Sequence, residues 1–195
     1  MEPLSKAALR RTVRAALAGM SPPARAEASA ALCSLLRTQP AWKKARHVLY
    51  FSPLPDEPNI WPLVEEALRL GRPVTLPRYL PAENRYTLRT IHGGPRTLEP
   101  GPFGILEPTL ACPEADPKQL DLVLVPGVAF TLAGGRLGRG KGYFDRLLAD
   151  VPGLKCGVAF DCQIVPELPM EPHDVHLNCI LTPTRWHLVG GHARS

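Results

Sequence analysis

The sequence lacks the cysteine pattern and the hydrophobic runs that define several large protein classes. Its five cysteines form no CxxC pair and no Cys/His spacing of a zinc site, and their odd number argues against a disulfide framework. No stretch approaches the roughly 18 to 20 apolar residues of a membrane span, and the N-terminal segment has no signal-peptide core. We therefore expect a reduced, cytoplasmic protein with no membrane partner, although the basic N-terminus would also suit a mitochondrial transit peptide.

Several nucleotide-binding and nucleic-acid-binding motifs are missing as well. Residues 135–141 satisfy GxxxxGK, but Gly142 follows where a Walker A loop needs Ser or Thr for magnesium. The Rossmann motif GxGxxG is absent, and so are an RNP strand motif and a KH loop in a matching context. No Ser/His/Asp or Cys/His set suggests a catalytic nucleophile. The segment around Gly142 is therefore the main candidate for chemistry.

The composition is that of an ordinary globular protein with an excess of basic residues. Apolar residues make up 45% of the 195 and charged residues 21%, which predicts one domain over residues 1–195 with a sizeable core. The formal net charge of +5 permits an anionic partner, and a phosphate-bearing cofactor, a polyglutamate tail and nucleic acid all stay open. The 23 prolines are scattered, so we interpret them as stiffeners of loops and helix starts.

Hydrophobic spacing predicts alternating helices and strands. Helices are predicted over residues 4–17, 21–36, 60–70 and 142–149. Strands are predicted over residues 47–52, 74–76, 86–91, 120–125, 156–160 and 177–181, with a turn over 77–84 and a loop over 127–141. This alternation predicts an α/β sandwich with a mostly parallel sheet.

The most unusual segment is rich in glycine and cations. Residues 134–145, GGRLGRGKGYFD, place five glycines and three cations directly after a predicted strand and loop. Glycine at this density has an entropic cost, which is tolerated where backbone approaches a ligand closely or takes positive φ. With free N–H groups at the following helix start, the segment is suited to hold phosphate. Two simpler interpretations stay open: a solvated basic loop, and an Asp145 that only pairs with a helix dipole.

The longer stretch around this segment resembles the signature of a known enzyme family. Residues 126–148, PGVAFTLAGGRLGRGKGYFDRLL, are similar to the signature of 5-formyltetrahydrofolate cyclo-ligases, also called methenyltetrahydrofolate synthetases. Three further matches follow the expected order. Lys6 with Arg10 resembles the family's N-terminal K-x-x-x-R helix, residues 103–108 (FGILEP) its G-I-x-E-P segment, and residues 172–174 (PHD) its late P-x-D turn. The resemblance covers almost the whole chain and implies a three-layer sandwich of the NagB/RpiA/CoA-transferase-like kind.

The resemblance implies an ATP-dependent reaction on a folate. Family members close the formyl group of 5-formyltetrahydrofolate onto N10, which gives 5,10-methenyltetrahydrofolate, ADP and phosphate. A formamide oxygen is a poor leaving group, so phosphorylation by ATP makes an iminophosphate that N10 can attack. Such a reaction asks the protein for positioning and charge neutralisation and needs no nucleophilic side chain.

The resemblance also implies which residues bind ATP. These are Lys6, Arg10, Arg136, Gly138, Arg139, Gly140, Lys141, Gly142 and Tyr143. Arg136 and Lys141 would in addition act catalytically, by stabilising charge on the transferred group. Lys6 and Arg10 are remote in sequence from the others, so their convergence is a structural prediction, and a merely solvated helix face is the alternative.

The folate and magnesium sites follow from the same resemblance. Glu57 lies in the loop where family members carry a substrate-contacting acid, and its carboxylate would pair with the pterin N–H edge. Tyr143 and Phe144 would stack on the pterin ring or on adenine, although at helical spacing such a pair also suits a core. Asp145 would bind Mg²⁺, and Asn178 would offer a second oxygen.

Two positions depart from the family pattern. Relatives often have an acidic residue where this chain has Asn178, and an Asp is common where it has Thr131. Neither change lies in the central motif, so a catalytic protein acting on ATP and folate, as a monomer without nucleic acid, is expected. The alternatives are a non-catalytic homologue that binds RNA or another polyanion, and an ATP-dependent enzyme acting on another metabolite.

Overall fold

The computed structural model of the protein describes residues 5–93, 97–102, 104–149, 151–171 and 174–191. The helices are α1 Lys6–Ala18, α2 Pro22–Thr38, α3 Pro40–Lys44, α4 Trp61–Arg69 and α5 Tyr143–Ala149. The strands are β1 Val48–Leu49, β2 Val74–Leu80, β3 Arg85–Ile91, β4 Leu98–Pro100, β5 Leu106–Pro108, β6 Leu122–Val125, β7 Ala129–Phe130, β8 Arg136–Leu137, β9 Leu154–Val158, β10 Cys179–Leu181 and β11 Trp186–Leu188. Four short 3-10 helices, Pro81–Glu83, Pro117–Gln119, Asp161–Gln163 and Val189–Gly191, complete the described elements.

Seven strands form the main sheet in the order β11-β10-β9-β6-β1-β2-β3. The five central strands are parallel, and β3 and β11 pair antiparallel at the two edges. From β1 the chain moves outward to β2, whereas from β6 it moves outward in the other direction to β9. The carboxyl ends of β1 and β6 therefore form the switch point at which an open α/β sheet leaves a crevice.

The central strand β6 shows why the sheet is covered on both faces. Leu122 and Leu124 belong to one buried cluster, and Val123 and Val125 to another. Because successive side chains of a strand point to opposite faces, an all-apolar strand requires a hydrophobic layer on each side. Helices α2, α3 and α4 contribute to the first cluster, and α5 contributes Leu148 to the second. The predicted α/β sandwich with a mostly parallel sheet is confirmed.

The two N-terminal helices begin at side-chain caps. Ser5 Oγ accepts a hydrogen bond from the Ala8 amide at 3.1 Å, and Ser21 Oγ accepts one from the Ala24 amide at 3.3 Å. Such caps satisfy amides that have no partner inside the helix. Helix α1 then buries three residues at intervals of four, Leu9, Val13 and Leu17. They pack in a third cluster with β7 and β8, which brings α1 to the glycine-rich segment.

The predicted turn over residues 77–84 is wrong in its first half, because β2 continues through Pro77 to Leu80. The carbonyl of Thr75 accepts a hydrogen bond from the Tyr50 amide, so the backbone polar groups of Thr75 face the β1 side of β2. Residues two apart in a strand face the same way, so the Pro77 nitrogen also points to the β1 side. Strand β1 has already ended there, at Leu49. No ladder hydrogen bond is lost at the proline, and the strand tolerates it.

The predicted loop over residues 127–141 also contains more structure than expected. Its first half folds into a ribbon of β7 and β8, joined by a turn in which Thr131 Oγ1 accepts from the Gly135 amide at 2.9 Å. The short strands β4, β5 and β11 were not predicted, because three residues are too few to show an alternating pattern. Within the described ranges, no helix is long and apolar enough to cross a membrane.

Candidate active site

A cleft of about 220 Å³ opens at the switch point of the sheet. Phe51 and Ser52 line it just after β1, and Pro126 and Gly127 line it just after β6. It therefore lies outside the carboxyl ends of two diverging strands, which is where open α/β sheets bind ligands.

Most of the predicted site residues line this cleft: Glu57, Arg136, Gly138, Arg139, Lys141, Gly142, Tyr143, Phe144 and Asp145. The glycine-rich segment forms one wall, held between β8 and α5. Three of its glycines take positive φ, 89° at Gly134, 108° at Gly140 and 64° at Gly142, which residues with a side chain rarely adopt. This placement favours a ligand-binding segment over a solvated loop.

Arg136 is a buried cation of the cleft. Its Nε donates to the carbonyl oxygen of Pro126 at 2.8 Å, and its Nη1 donates to Asp145 Oδ1 at 2.9 Å. Its guanidinium carbon lies 5.5 Å from the centre of the Phe144 ring. Burial lowers the pKa of Arg136, and the carboxylate of Asp145 opposes that shift. The charge is thus fixed in position in advance, as electrostatic catalysis requires.

A second group of charges joins the glycine-rich segment to the loop after β1. Arg139 Nη2 donates to Asp56 Oδ1 at 2.5 Å and to Glu57 Oε1 at 3.0 Å. Glu57 is 8% exposed, and its Oε2 accepts from the Leu54 amide at 3.0 Å. Burial raises the pKa of Glu57, while the charge of Arg139 lowers it. Glu57 is therefore a buried acid whose partner comes from the predicted phosphate-binding segment.

Aromatic rings form another part of the wall. The ring centre of Tyr143 lies 5.2 Å from that of Tyr79 and 5.7 Å from that of Tyr86. The Tyr86 ring lies 6.0 Å from Phe144, which also packs against both core clusters of the sheet. Lys141 Nζ lies 5.8 Å from the centre of the Tyr143 ring. A flat aromatic ligand can pack on such a surface, and Phe144 serves the core as well.

Helix α1 reaches the glycine-rich segment through Arg10. Its Nε donates to the carbonyl oxygen of Gly138 at 2.9 Å, and a Cβ added at Gly140 would lie 3.5 Å from its guanidinium. The chain therefore brings Arg10 to the site, although Arg10 and Gly140 are not among the residues that line the cleft.

Lys6 lies one helical turn before Arg10 and contacts acids. Its Nζ donates to Asp174 Oδ2 at 2.8 Å and lies 3.3 Å from Glu171 Oε2. These contacts raise the pKa of Lys6, the Asp174 hydrogen bond most strongly. Asp174 also acts electrostatically on Arg136. The late turn is thus joined to α1 at Asp174, while residues 172 and 173 lie outside the described residues.

Asp145, the predicted magnesium ligand, lines the cleft. The hydrogen bond from Arg136 uses Oδ1 of Asp145 and leaves Oδ2 for another partner. In the described part of the chain, no group of three or more His, Cys, Asp or Glu side chains could hold a metal ion. Mg²⁺ is commonly bound through one or two carboxylates, with substrate phosphates and water as the other ligands. A single carboxylate facing the cleft fits that mode.

Asn178 does not support the prediction of a second metal ligand. Its Oδ1 accepts from the Lys155 amide at 2.8 Å, and its own amide donates to the Lys155 carbonyl at 2.9 Å. Asn178 precedes β10, whereas the cleft opens after the carboxyl ends of the parallel strands. The side chain therefore ties β10 to β9 at the opposite end of the sheet, which sequence spacing does not reveal.

Glu107 of the FGILEP segment supports the sheet next to the cleft. It is 1% exposed, and its Oε2 accepts from the Tyr79 amide at 3.3 Å. Burial raises the pKa of Glu107, and Arg78 opposes this shift. Ile105 of the same segment lines the cleft, while Phe103 lies outside the described residues. The segment therefore positions a β-strand and contributes an apolar wall.

Several residues of the site were missed in the sequence. Asp56 binds Arg139, Asn84 binds the Tyr143 hydroxyl, and Tyr86 lines the cleft. Gln163 is buried and donates from Nε2 to the carbonyls of Gly127 and Val128 at 2.9 and 3.1 Å. Of these residues, only Asp56 could have been noticed in the sequence, because it is an acid directly beside Glu57. The others lie in ordinary turn or strand sequences, and only tertiary structure brings them to the site.

Comparison with known proteins gives a consistent result. Residues 3–183 match the model of the 5-formyltetrahydrofolate cyclo-ligase family. The chain is 36% identical over 145 residues to a 5-formyltetrahydrofolate cyclo-ligase of Mycolicibacterium smegmatis, covering 72% of this chain and 75% of that protein. It is 33% identical over 154 residues to one from Escherichia coli K12, covering 77% and 85%.

Solved structures agree with the sequence relatives. The NMR structure of 5,10-methenyltetrahydrofolate synthetase from Aquifex aeolicus superposes with a TM-score of 0.87 at 35% identity, covering 98% of this chain and 96% of that one. A synthetase from Mycoplasma pneumoniae superposes with a TM-score of 0.74 at 20% identity, which supports the shared fold alone.

Proposed function

The chain belongs to the 5-formyltetrahydrofolate cyclo-ligase family and converts 5-formyltetrahydrofolate to 5,10-methenyltetrahydrofolate with ATP, and we propose that the cleft at the switch point is where it does so. One observation carries this assignment of the site. Arg136, Arg139 and Lys141 share the cleft with the buried acid Glu57 and with an aromatic wall that includes Tyr143. Phosphate groups and a flat heterocycle can therefore be held side by side.

The cations at the cleft have different roles toward the phosphates. Arg136 is fixed by Pro126 and Asp145, so it serves as a rigid charge for the group in transfer. Lys141 is exposed at the cleft edge and follows Gly140, whose positive φ turns the backbone. Its ammonium can reach the terminal phosphate as a mobile point charge. Arg10 braces the segment by holding the Gly138 carbonyl.

The chemical step requires little from the protein beyond this charge pattern. The formyl oxygen of the substrate attacks the terminal phosphoryl group of ATP and ADP leaves. N10 then attacks the activated formyl carbon, and phosphate leaves as the ring closes. Positive charge placed around the transferred group lowers the barrier to the first step, and removal of water protects the activated formyl group.

The folate would lie between the acid and the rings. Glu57 offers a carboxylate to the N–H donors of the pterin edge, and the Tyr143 ring packs on its face. Glu57 must be ionised to accept these donors, and Arg139 favours that form. The same ion pair therefore connects the folate and phosphate parts of the cleft.

We also propose Mg²⁺ at Asp145, which would supply charge neutralisation for the phosphate oxygens. We further propose that the protein is a monomer in a reducing compartment. The compartment is supported by the five cysteines, which are all unpaired, four of them buried. Binding of RNA through the basic segment has less support, because Arg136 and Arg139 are already paired with acids of the same chain.

The function is tested by mixing the purified protein with 5-formyltetrahydrofolate, ATP and Mg²⁺. We expect near-ultraviolet absorbance of the methenyl product to rise together with released phosphate, and both to require ATP. Parallel reactions without Mg²⁺ test the metal. Phosphate release with another metabolite, in the absence of any methenyl signal, would contradict the folate assignment.

A further inference from the structure

Asn84 ends the turn between β2 and β3 in a left-handed conformation, with φ 50° and ψ 40°. Among the described residues it is the one residue other than glycine with positive φ. Asn is tolerated in this region because its short polar side chain can form hydrogen bonds nearby. Its side chain here reaches out of the turn, toward Tyr79 and Tyr143.

Three polar atoms form a triangle at this point. Asn84 Oδ1 lies 2.7 Å from the Tyr143 hydroxyl and 2.9 Å from the Tyr79 hydroxyl, and the two hydroxyls are 3.1 Å apart. Each hydroxyl has one proton, so only two of the three contacts are hydrogen bonds at a time. Because an amide oxygen only accepts and the two hydroxyls share at most one hydrogen bond, every arrangement with two hydrogen bonds in the triangle donates at least one proton to Asn84. The triangle therefore depends on the Asn84 oxygen.

The same residue holds α5 at a second point. The Asn84 carbonyl accepts from Arg146 Nη2 at 3.2 Å, one helical turn after Tyr143. Helix α5 has seven residues and follows Gly142, which has positive φ. Helices this short are not stable by themselves, so tertiary contacts determine where α5 begins. Asn84 supplies two of those contacts from the neighbouring hairpin.

We propose that Asn84 is a positioning residue for the folate-binding wall of the cleft, which acts by holding the Tyr143 ring. The inference rests on the proposed function, in which folate occupies the cleft that Tyr143 lines. Asn84 does not line the cleft, so its effect is indirect. The role needs an acceptor atom and a residue that tolerates positive φ, and Asn combines the two.

Loss of the acceptor removes one of the contacts that hold the Tyr143 ring, while the hydrogen bonds of Arg136 and Arg139 do not involve Asn84. Binding of folate should therefore weaken while the chemical step continues. We expect KM for 5-formyltetrahydrofolate to rise about three- to tenfold, the size of one hydrogen bond. We expect kcat at saturating ATP to stay within about twofold.

The experiment compares Asn84→Gly with Asn84→Asp. Both residues tolerate positive φ, but only Asp keeps an acceptor at this position. The Gly variant should show the raised KM, and the Asp variant should restore a KM close to wild type. Glu83→Gln in the same turn is the matched control and should leave KM unchanged, because Glu83 pairs with the exposed Arg85. Thermal unfolding of each variant checks that all remain folded.

A double-mutant cycle with Tyr143→Phe distinguishes an effect of Asn84 through the Tyr143 ring from a general destabilisation of the cleft. Asn84→Gly and Tyr143→Phe remove the same hydrogen bond, so the double variant should have the KM of the worse single variant. Independent effects that multiply, or equal KM values for Asn84→Gly and wild type, would overturn the inference while leaving the function intact. Wild-type protein that makes no methenyl product would overturn the proposed function and the inference with it.

Discussion

The guanidinium of Arg10 holds the carbonyl oxygen of Gly138, with 2.9 Å between Nε and the oxygen. The two residues are 128 positions apart in sequence. This hydrogen bond ties α1, which also packs on the core, to the segment that we propose binds phosphate.

Arg10→Gln should weaken ATP binding. The variant loses a charged hydrogen bond to the backbone of the glycine-rich segment, which costs enough to raise KM for ATP about tenfold. Arg11→Gln on the same helix is the control and should have no effect, because Arg11 is exposed. Steady-state kinetics with ATP varied at saturating folate make the comparison. Equal KM values for the two variants would show that α1 plays no part in the site.

Lys141→Ala should remove most of the turnover without unfolding the protein. Its side chain lies at the exposed edge of the cleft, so folding does not depend on it. Loss of one charge at the transferred group should lower kcat by a factor of about 100 to 1,000. Lys44→Ala, an exposed lysine at the end of α3, serves as the control. Wild-type rates in Lys141→Ala would remove the lysine from the proposed mechanism.

The pH dependence of folate binding should follow the charges around Glu57. Burial raises the pKa of this acid, Arg139 lowers it, and Asp56 raises it. Arg139→Gln should therefore move the loss of folate binding on acidification to higher pH, and Asp56→Asn should move it to lower pH. KM for folate, measured across the acidic range at saturating ATP, tests both directions. Shifts of the same sign would contradict the assignment of Glu57.

The pH dependence of protein stability tests the pKa of Glu57 independently of folate binding. A folded-state pKa above the unfolded value of about 4.3 means that the folded protein binds the extra proton. The contribution of Glu57 to the free energy of unfolding is then greatest below the unfolded-state pKa, and it falls as pH rises through the folded-state pKa. Denaturant unfolding of wild type and Glu57→Gln over that window should show a steeper decline in wild type, because Glu107, whose pKa is also raised, remains in both proteins. Parallel pH curves would mean that the pKa of Glu57 is not raised.

Asp145→Asn should affect both metal use and stability. The amide can still accept from Arg136, but it no longer neutralises a buried cation, so unfolding should become easier by about 1–3 kcal/mol. The Mg²⁺ concentration for half-maximal activity should rise about tenfold, because a neutral ligand binds the ion less strongly. Exposed Glu65→Gln is the control. An unchanged Mg²⁺ requirement would place the ion elsewhere.

The parts of the fold that the sequence predicted correctly were the elements with regular hydrophobic spacing. Helix α1, helix α4 and strand β6 were all expected from hydrophobic spacing, and each matches to within two residues. The turn predicted over residues 77–84 is wrong in its first half, because the Pro77 nitrogen points where β1 has ended. Local sequence carries no information about where a neighbouring strand stops, so this error could not be avoided.

The candidate site was also only partly predictable from the sequence. Arg136, Lys141 and Asp145 were found because they lie in one dense local motif, and the structure places all three at the cleft. Asn178 was expected at the metal and lies at the other end of the sheet. Asn84 was not expected at all, since a polar residue in a turn has no distinguishing pattern. Distance along the chain does not determine which side of a sheet a side chain occupies.

The sequence by itself determined the alternation of helices and strands, the composition of the glycine-rich segment and the resemblance to the family, because each depends on residues that are close together in the chain. Tertiary structure alone decided which remote groups meet that segment. Arg10 reaches Gly138 because α1 packs its apolar stripe on β7 and β8, and Asn84 reaches Tyr143 because the hairpin of β2 and β3 lies beside α5. The physical reason is that hydrophobic packing of whole elements positions these polar contacts, and that packing depends on the entire chain at once.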